Sequence, residues 1–360
     1  MMSDYADSYI KRSLRVNRVS AGEAVRVSKT LATAQSRIRA ALMRLTDAEF
    51  SGPARERAIA KITQILQSSY KEAAEEAEKI AAQMVEKEAE WQISTINEYT
   101  TSAVNTILME DAVRVAQTTP YQGKLFSEWY RDAGVKTPRK VFGIIEAGFI
   151  NGQSIPEVTR DVEMLAQKAI PDLKTLVRSN LLHASSIARS QVIAANEDLF
   201  EGSVWNSTLD VRTTPHICGV RDQKEYDKNK QPVGHSLLWG PGPGQIHFNC
   251  RSIEIPKLIG VEIKTKRPAV SAGKEYQRGD KTTNRGTVRE PTKANRDKEI
   301  FKVQQKASTT NYEDWLRTQK KDFVADALGS MEMAEAFKKG EALDSLTANP
   351  LGTPLGINQL

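Results

Sequence analysis

The sequence predicts an α+β chain, predominantly α-helical. It expects long N-terminal helices, a small loop-rich β-containing domain, a basic linker and a short helical C-terminal module. Three observations predict this. Apolar residues keep three- and four-residue spacing from Ala54 to about Thr100 with no Pro or Gly between them. The pattern breaks near Gly202 into short β-compatible runs between loops. Both cysteines and three of the four histidines crowd into residues 204–256. A chain of 360 residues has room for two or three domains. The boundaries read as a helical region over 1–135, a domain over 136–258 that closes on a Cys/His block at 203–256, a basic flexible linker over 259–306 and a small helical module over 307–360.

Composition narrows the class. No window approaches about 18 consecutive apolar residues, so no membrane span is expected. The first residues lack an apolar h-region, so a cleaved secretory signal is not expected either. Two cysteines exclude a disulfide scaffold. The net charge of +6 is too small to define a nucleic-acid binder, so its location matters more than its total.

The helix over 54–100 carries Ile59, Ile62, Leu66, Tyr70, Ala73, Ala77, Ile80, Met84 and Trp91 as one stripe, with Ser51 and Pro53 at its start. Its middle is mostly Ala, which lets a partner helix approach closely. Glu72, Glu75, Glu76 and Glu78 form an acidic face that reads as solvated. Gly152 suits the left-handed end of a helix through Ile144, Ile145 and Phe149. Ser154 and Glu157 then predict a capping box for a helix carrying Val158, Val162 and Leu165. A further helix is predicted from about Leu173 to Phe200, with His183 beside its apolar stripe as a packed, hydrogen-bonded residue.

Beyond Gly202, the runs Ser203–Trp205, 209–211 and Ser252–Ile255 suit strands. The Gly/Pro loop over 239–245 suits neither helix nor strand. Residues 261–306 hold 8 Lys and 5 Arg against 2 Asp and 4 Glu, a net +7. Such a stretch reads as extended or disordered, and its cations can neutralise DNA phosphates without reading bases. Lys264, Lys266, Arg267, Lys274, Arg278, Lys281, Arg285 and Arg289 are the expected backbone contacts. The C-terminal module starts as a helix at Asn311 anchored by Tyr312, Trp315, Leu316 and Phe323, ends it at Leu328-Gly329, and adds a turn or two from Ala334 to Lys339.

The chemistry centres on Cys218, His247 and Cys250. His247-x-x-Cys250 puts two donors in one tight turn, and folding must bring Cys218 to them. His216, His235 or Asp210 can complete four ligands. Tetrahedral zinc favours such nitrogen and sulfur sets. Two free thiols and a Cys218–Cys250 disulfide are the other readings, and a reducing cytoplasm opposes the disulfide. Zinc-deaminase, H-E-x-x-H and P-loop motifs are absent. A cysteine nucleophile with His247 as base lacks any marked orienting group. Asp210, His235, His247 and Asn249 are the set a metal-dependent nuclease would use.

These residues carry a resemblance. Trp205, Asp210-x-Arg212-Thr213, Pro215, Cys218, Tyr226, the Gly/Pro loop, His247-x-x-Cys250-Arg251 and Pro256 follow the order of the Mu F-like head-morphogenesis family of tailed bacteriophages. Ala188-Arg189-Ser190, Asn196 and the turn at Gly152–Ile155 are similar to the family's preceding segment. Tyr312, Trp315-Leu316, Gln319, Leu328-Gly329, Phe337 and Gly340 resemble a C-terminal piece of many such minor head proteins. The chain departs from the family at Thr214 and Ser252, where many members have further cysteines, and at Asp222-Gln223, where a turn Gly is usual.

The resemblance implies a Mu F-like domain over 136–258 and a structural role without catalysis. It implies a minor capsid protein at the portal vertex, acting in head morphogenesis and in DNA packaging or ejection. Its partners would be the portal protein, capsid or scaffold proteins and packaged double-stranded DNA. Its location would be the virion, after assembly in the bacterial host cytoplasm. A non-specific DNA-binding packaging protein is the alternative. Trp205, Asp210, Arg212, Thr213, His247, Cys250 and Arg251 are expected to form a structural polar network, one able to hold the fold without metal.

Overall fold

The computed structural model describes residues 4–45, 52–210, 212–263, 266–272, 301–307 and 310–347. Six helices form the N-terminal part: α1 (Asp4–Val27), α2 (Lys29–Leu42), α3 (Pro53–Tyr99), α4 (Met109–Thr118), α5 (Phe126–Ile150) and α6 (Ile155–Ala194). At a rise of about 1.5 Å per residue, the 47 residues of α3 run roughly 70 Å. The stripe read from the sequence is its buried face, and Ala73, Ala77 and Ala89 are fully buried on it. The close approach to α5 is visible at Gly134, where a Cβ would lie 3.3 Å from Tyr70 Cβ. Tyr70 Oη and Thr137 Oγ1, 3.0 Å apart, link the same two helices.

The α5–α6 hairpin turns as predicted. Gly152 has φ +67°, and the Glu157 carboxylate accepts from the Ser154 backbone N–H at 2.8 Å. The two helices expected after this turn are one. α6 runs unbroken for 40 residues with Pro171 inside it on an exposed face. Burial along the helix overrides the local cost of the proline. The helix ends at Ala194, and Phe200 already belongs to a strand.

The buried acid of the bundle is Glu88, outside the acidic face read from the sequence. It accepts from Arg12 Nε at 2.6 Å, from Arg189 Nη2 at 2.7 Å and from Ser185 Oγ at 3.2 Å. This carboxylate joins α1, α3 and α6.

A four-stranded antiparallel sheet follows, in the order β3-β2-β1-β4, from β1 (Phe200–Asn206), β2 (Glu225–Asp227), β3 (Pro232–Val233) and β4 (Ile253–Leu258). In β1–β4, Trp205 lies opposite Glu254 and Val204 opposite Ile255. Phe200, Ile253, Ile255 and Leu258 pack against Tyr5, Tyr9 and Ile96, so α1 and the end of α3 cover the sheet. Of the run at 209–211, residue 211 lies outside the described residues, Asp210 is in no strand, and Leu209 forms a single parallel bridge to Ala269.

Two parts of the stretch expected as a flexible linker are paired. β5 (Lys266–Ala272) and β6 (Phe301–Ala307) form an antiparallel ladder. The C-terminal module holds α7 (Tyr312–Arg317), α8 (Lys321–Leu328), α9 (Met331–Lys339) and α10 (Leu343–Thr347), with Gly329 and Gly340 left-handed as caps. The single helix expected to carry Phe323 is thus two. Tyr312, Trp315, Leu316 and Phe337 share a core with Leu209, Val220, Leu237 and Ala269, so the module packs on the Cys/His block.

His183 is packed as expected, against Tyr121 and Phe126, each with its ring 5.5 Å away. Neither ring nitrogen has a partner at hydrogen-bond geometry, although the Ala116 and Thr119 carbonyls are near enough to act on the ring. Burial pushes its pKa from 6.5 down to about 4, against the pull of the Ala116 and Thr119 carbonyls. Between those two pH values the unfolded chain binds a proton here that the folded chain does not. Stability present above pH 6.5 is therefore lost as pH falls toward 4, by about 3 kcal/mol. Denaturant unfolding of the parent and of His183→Gln across this window is expected to show the parent's advantage shrinking by that amount. A constant difference between the two contradicts the assignment.

Candidate functional site

β1 delivers Trp205 into a small core with Cys218, Tyr226 and Cys250. The indole Nε1 donates to Ser207 Oγ at 3.1 Å, and the Trp239 ring meets the indole edge-on at 5.3 Å. The chain then turns at Asp210. Arg251, just before β4, grips this carboxylate with both terminal nitrogens: Nη2 reaches Oδ1 at 2.6 Å, and Nη1 reaches Oδ2. Oδ1 also accepts from the Arg212 backbone N–H at 2.9 Å, and Thr213 Oγ1 lies 3.5 Å away. Of the seven residues expected to form one network, Asp210, Thr213 and Arg251 bond here, while Trp205, His247 and Cys250 bond other partners. Arg212 enters it through its backbone alone, and its side chain is exposed.

A wide turn over Pro215–Gly219 points Cys218 inward, with its carbonyl held by Ser207 Oγ at 2.7 Å. The turn carrying His247 and Cys250 closes with the Cys250 N–H on the His247 carbonyl at 3.1 Å. Asn249 is left-handed at φ +58°. Its N–H donates to Ser179 Oγ on α6 at 2.8 Å, which fixes the turn against the bundle. His247 Nδ1 donates to the Phe248 carbonyl at 2.8 Å, so Nε2 is left to face Cys218 Sγ at 3.0 Å. The two sulfurs lie 3.7 Å apart, both thiols free.

The donor atoms of Cys218, His247 and Cys250 all lie within 4.8 Å of one another. Around a tetrahedral metal, sulfurs about 2.3 Å from the ion stand roughly 3.8 Å apart. The observed sulfur spacing fits. The Nδ1–carbonyl bond is the orienting partner that a metal-bound imidazole requires. These three residues can hold a metal ion. The other candidates lie elsewhere. Asp210 is taken by Arg251, and His235 bonds the Glu225 carbonyl at 2.9 Å beside Tyr226. His216 is outside the group. The residues a nuclease would use are therefore not gathered into one cluster among the described residues.

The electrostatics divide the thiols. Burial raises Cys218, and the adjoining Cys250 sulfur raises it further. Burial also acts to raise Cys250, but bonds from Cys218, His247 and the Ser252 backbone outweigh it and hold this thiol low. Burial acts to lower His247, and its Cys250 partner outweighs that and raises it. The arrangement favours a Cys250 thiolate beside a protonated His247, with Cys218 as a neutral donor.

A second polar knot had no signal in the sequence. The Asp222 carboxylate is fully buried. It accepts from the Ser207 N–H at 2.7 Å, from Arg267 Nη1 at 2.9 Å and from the Tyr312 N–H at 2.6 Å, and Arg267 Nη2 closes on its other oxygen. Arg267 also donates to Asn206 Oδ1 at 2.9 Å and to the Thr310 carbonyl at 2.9 Å. This corrects the expectation that Arg267 contacts DNA: it is buried and saturated by protein groups. Lys266 lies on β5. Lys264, Lys274, Arg278, Lys281, Arg285 and Arg289 lie outside the described residues.

No family model, curated protein or solved structure matches the chain.

Proposed function

We propose that the protein is a minor head protein of a tailed bacteriophage. It acts at the portal vertex in head morphogenesis, and the Cys/His block serves as architecture. The observation that carries this reading is the Asp210–Arg251 pair. Two positions 41 residues apart in an ordered motif meet as a bidentate ion pair inside the block. Several other motif positions, though not the exposed Arg212 side chain, are likewise spent on the protein itself. Trp205 fills the core, Thr213 binds the Asp210 turn and Arg189 neutralises Glu88. Asn196 Oδ1 accepts from the Asn105 backbone at 2.6 Å. A motif whose polar groups bond one another defines a shape for partners to bind. The portal protein, capsid or scaffold proteins and packaged DNA are the partners of this reading, and the virion is its location.

Quantitative mass spectrometry of purified capsids tests the role. The protein is expected at far below the copy number of the major capsid protein. Absence from both procapsid and virion overturns the assignment.

Zinc is the metal we assign to Cys218, His247 and Cys250, because two sulfurs and one imidazole suit it. When bound, it would cross-link the Cys218 turn to the His247–Cys250 turn and keep one position for a further ligand. Elemental analysis of protein purified with zinc present is expected to find one zinc per chain, lost in Cys218→Ser. A metal-free parent protein contradicts the assignment.

A further inference from the structure

The positive charge around Asp210 is not balanced. This single carboxylate is already engaged by Arg251, by the Arg212 backbone and by Thr213. Two more guanidiniums share the neighbourhood. Arg212 and Arg251 line one recess with Thr213, Thr214, Asn249 and Ser252, and its floor reaches Cys218 and His247 of the Cys/His site. Arg178 stands on the face of α6 that receives the Asn249 turn: Ser179 Oγ accepts the Asn249 N–H, and Thr175 Oγ1 lies 3.4 Å from Asn249 Nδ2.

Neither the Arg178 nor the Arg212 side chain has a hydrogen bond or ion pair among the described residues, and Arg178 Nε is buried without a partner. Burial, then Arg251 and Arg212, push the Arg178 pKa down, while Asp210 opposes them. Arg178 thus lies within electrostatic reach of Arg212, Arg251 and Asp210, beside the recess that the other two arginines line. Like charges of this kind, two of them part-buried, favour an incoming anion.

We propose that Arg178, Arg212 and Arg251, with Asn249, form a binding site for a phosphate group. Guanidinium forks match the spacing of phosphate oxygens, and Arg212 stands exposed at the rim. The recess has a volume of about 10 Å³, close to what a single water-sized group needs. It therefore takes an oxygen of a phosphate and does not enclose a nucleotide. A phosphate group reaches such a shallow site from a DNA backbone or as a free ion. The site uses no residue of the basic stretch over 261–306 and does not depend on the head-protein reading.

The test uses the full chain and the variants Arg178→Gln, Arg212→Gln and their combination. These substitutions remove no bond from the fold, so the double variant is expected to unfold in chloride at the parent's temperature or above it. One arm follows thermal unfolding in sodium phosphate against sodium chloride of equal ionic strength. A second follows anisotropy of a short labelled DNA duplex across a salt series. The parent is expected to gain a saturable shift from phosphate that the double variant lacks. The duplex salt slope is expected to shrink by about 2 in the double variant, near 0.9 for each lost contact. A phosphate shift present in the parent and lost in the double variant, with the duplex slope unchanged, assigns a free phosphate ion as the ligand; a slope that shrinks in the double variant, with no phosphate shift in the parent, assigns the DNA backbone. A double variant that answers both phosphate and duplex as the parent does overturns the site.

Discussion

The Asp222 carboxylate is the constraint on which the C-terminal half depends. It has no exposure to solvent, and it meets the end of β1, the start of β5 and the first residue of α7. Desolvating a carboxylate and a guanidinium costs several kcal/mol each unless their remaining hydrogen-bonding capacity is met. Here Asn206, Ser207, Thr310 and Tyr312 meet it. The pair therefore specifies one arrangement. Any slip of β5 or α7 leaves a buried charge without its partner.

Around that clamp, the Cys/His block is assembled from parts that cannot hold themselves. The sheet is short, and the loops over 207–222 and 234–250 carry little regular structure. Their order comes from side chains. Arg251 fixes the Asp210 turn, Ser207 holds the Cys218 carbonyl, and Ser179 fixes the Asn249 turn against the bundle. These bonds bring Cys218, His247 and Cys250 together across 32 residues. The bundle thus supports the site, because α6 supplies the Ser179 anchor.

Much of the helical architecture was legible, because periodicity, caps and glycines act locally. The stripe of α3, the Ser154–Glu157 cap and the Gly329 and Gly340 ends follow directly from residue type and spacing. The proximity of Cys218 to His247-x-x-Cys250 was also within reach, through the crowding of donors in one block. Three things were not. The join through Pro171 depends on burial along α6, which a local helix breaker obscures. The partner of a charge is set by long-range packing, so Glu88 looked like its exposed neighbours. Arg267 looked like one more residue of a basic arm, although Asp222 waits for it 45 residues away. Arg212 erred the other way: the motif placed it in the network, while its side chain stands in solvent.

The most direct test of this account is a double-mutant cycle between Asp222 and Arg267, read by denaturant unfolding. Each alanine variant removes one partner of a buried pair and is predicted to cost about 3–5 kcal/mol. The double variant is predicted to cost no more than the worse single variant, giving a coupling near the upper end of the usual range, about 3 kcal/mol. Losses that simply add, with no coupling between the two positions, would contradict the claim that this ion pair holds the block together.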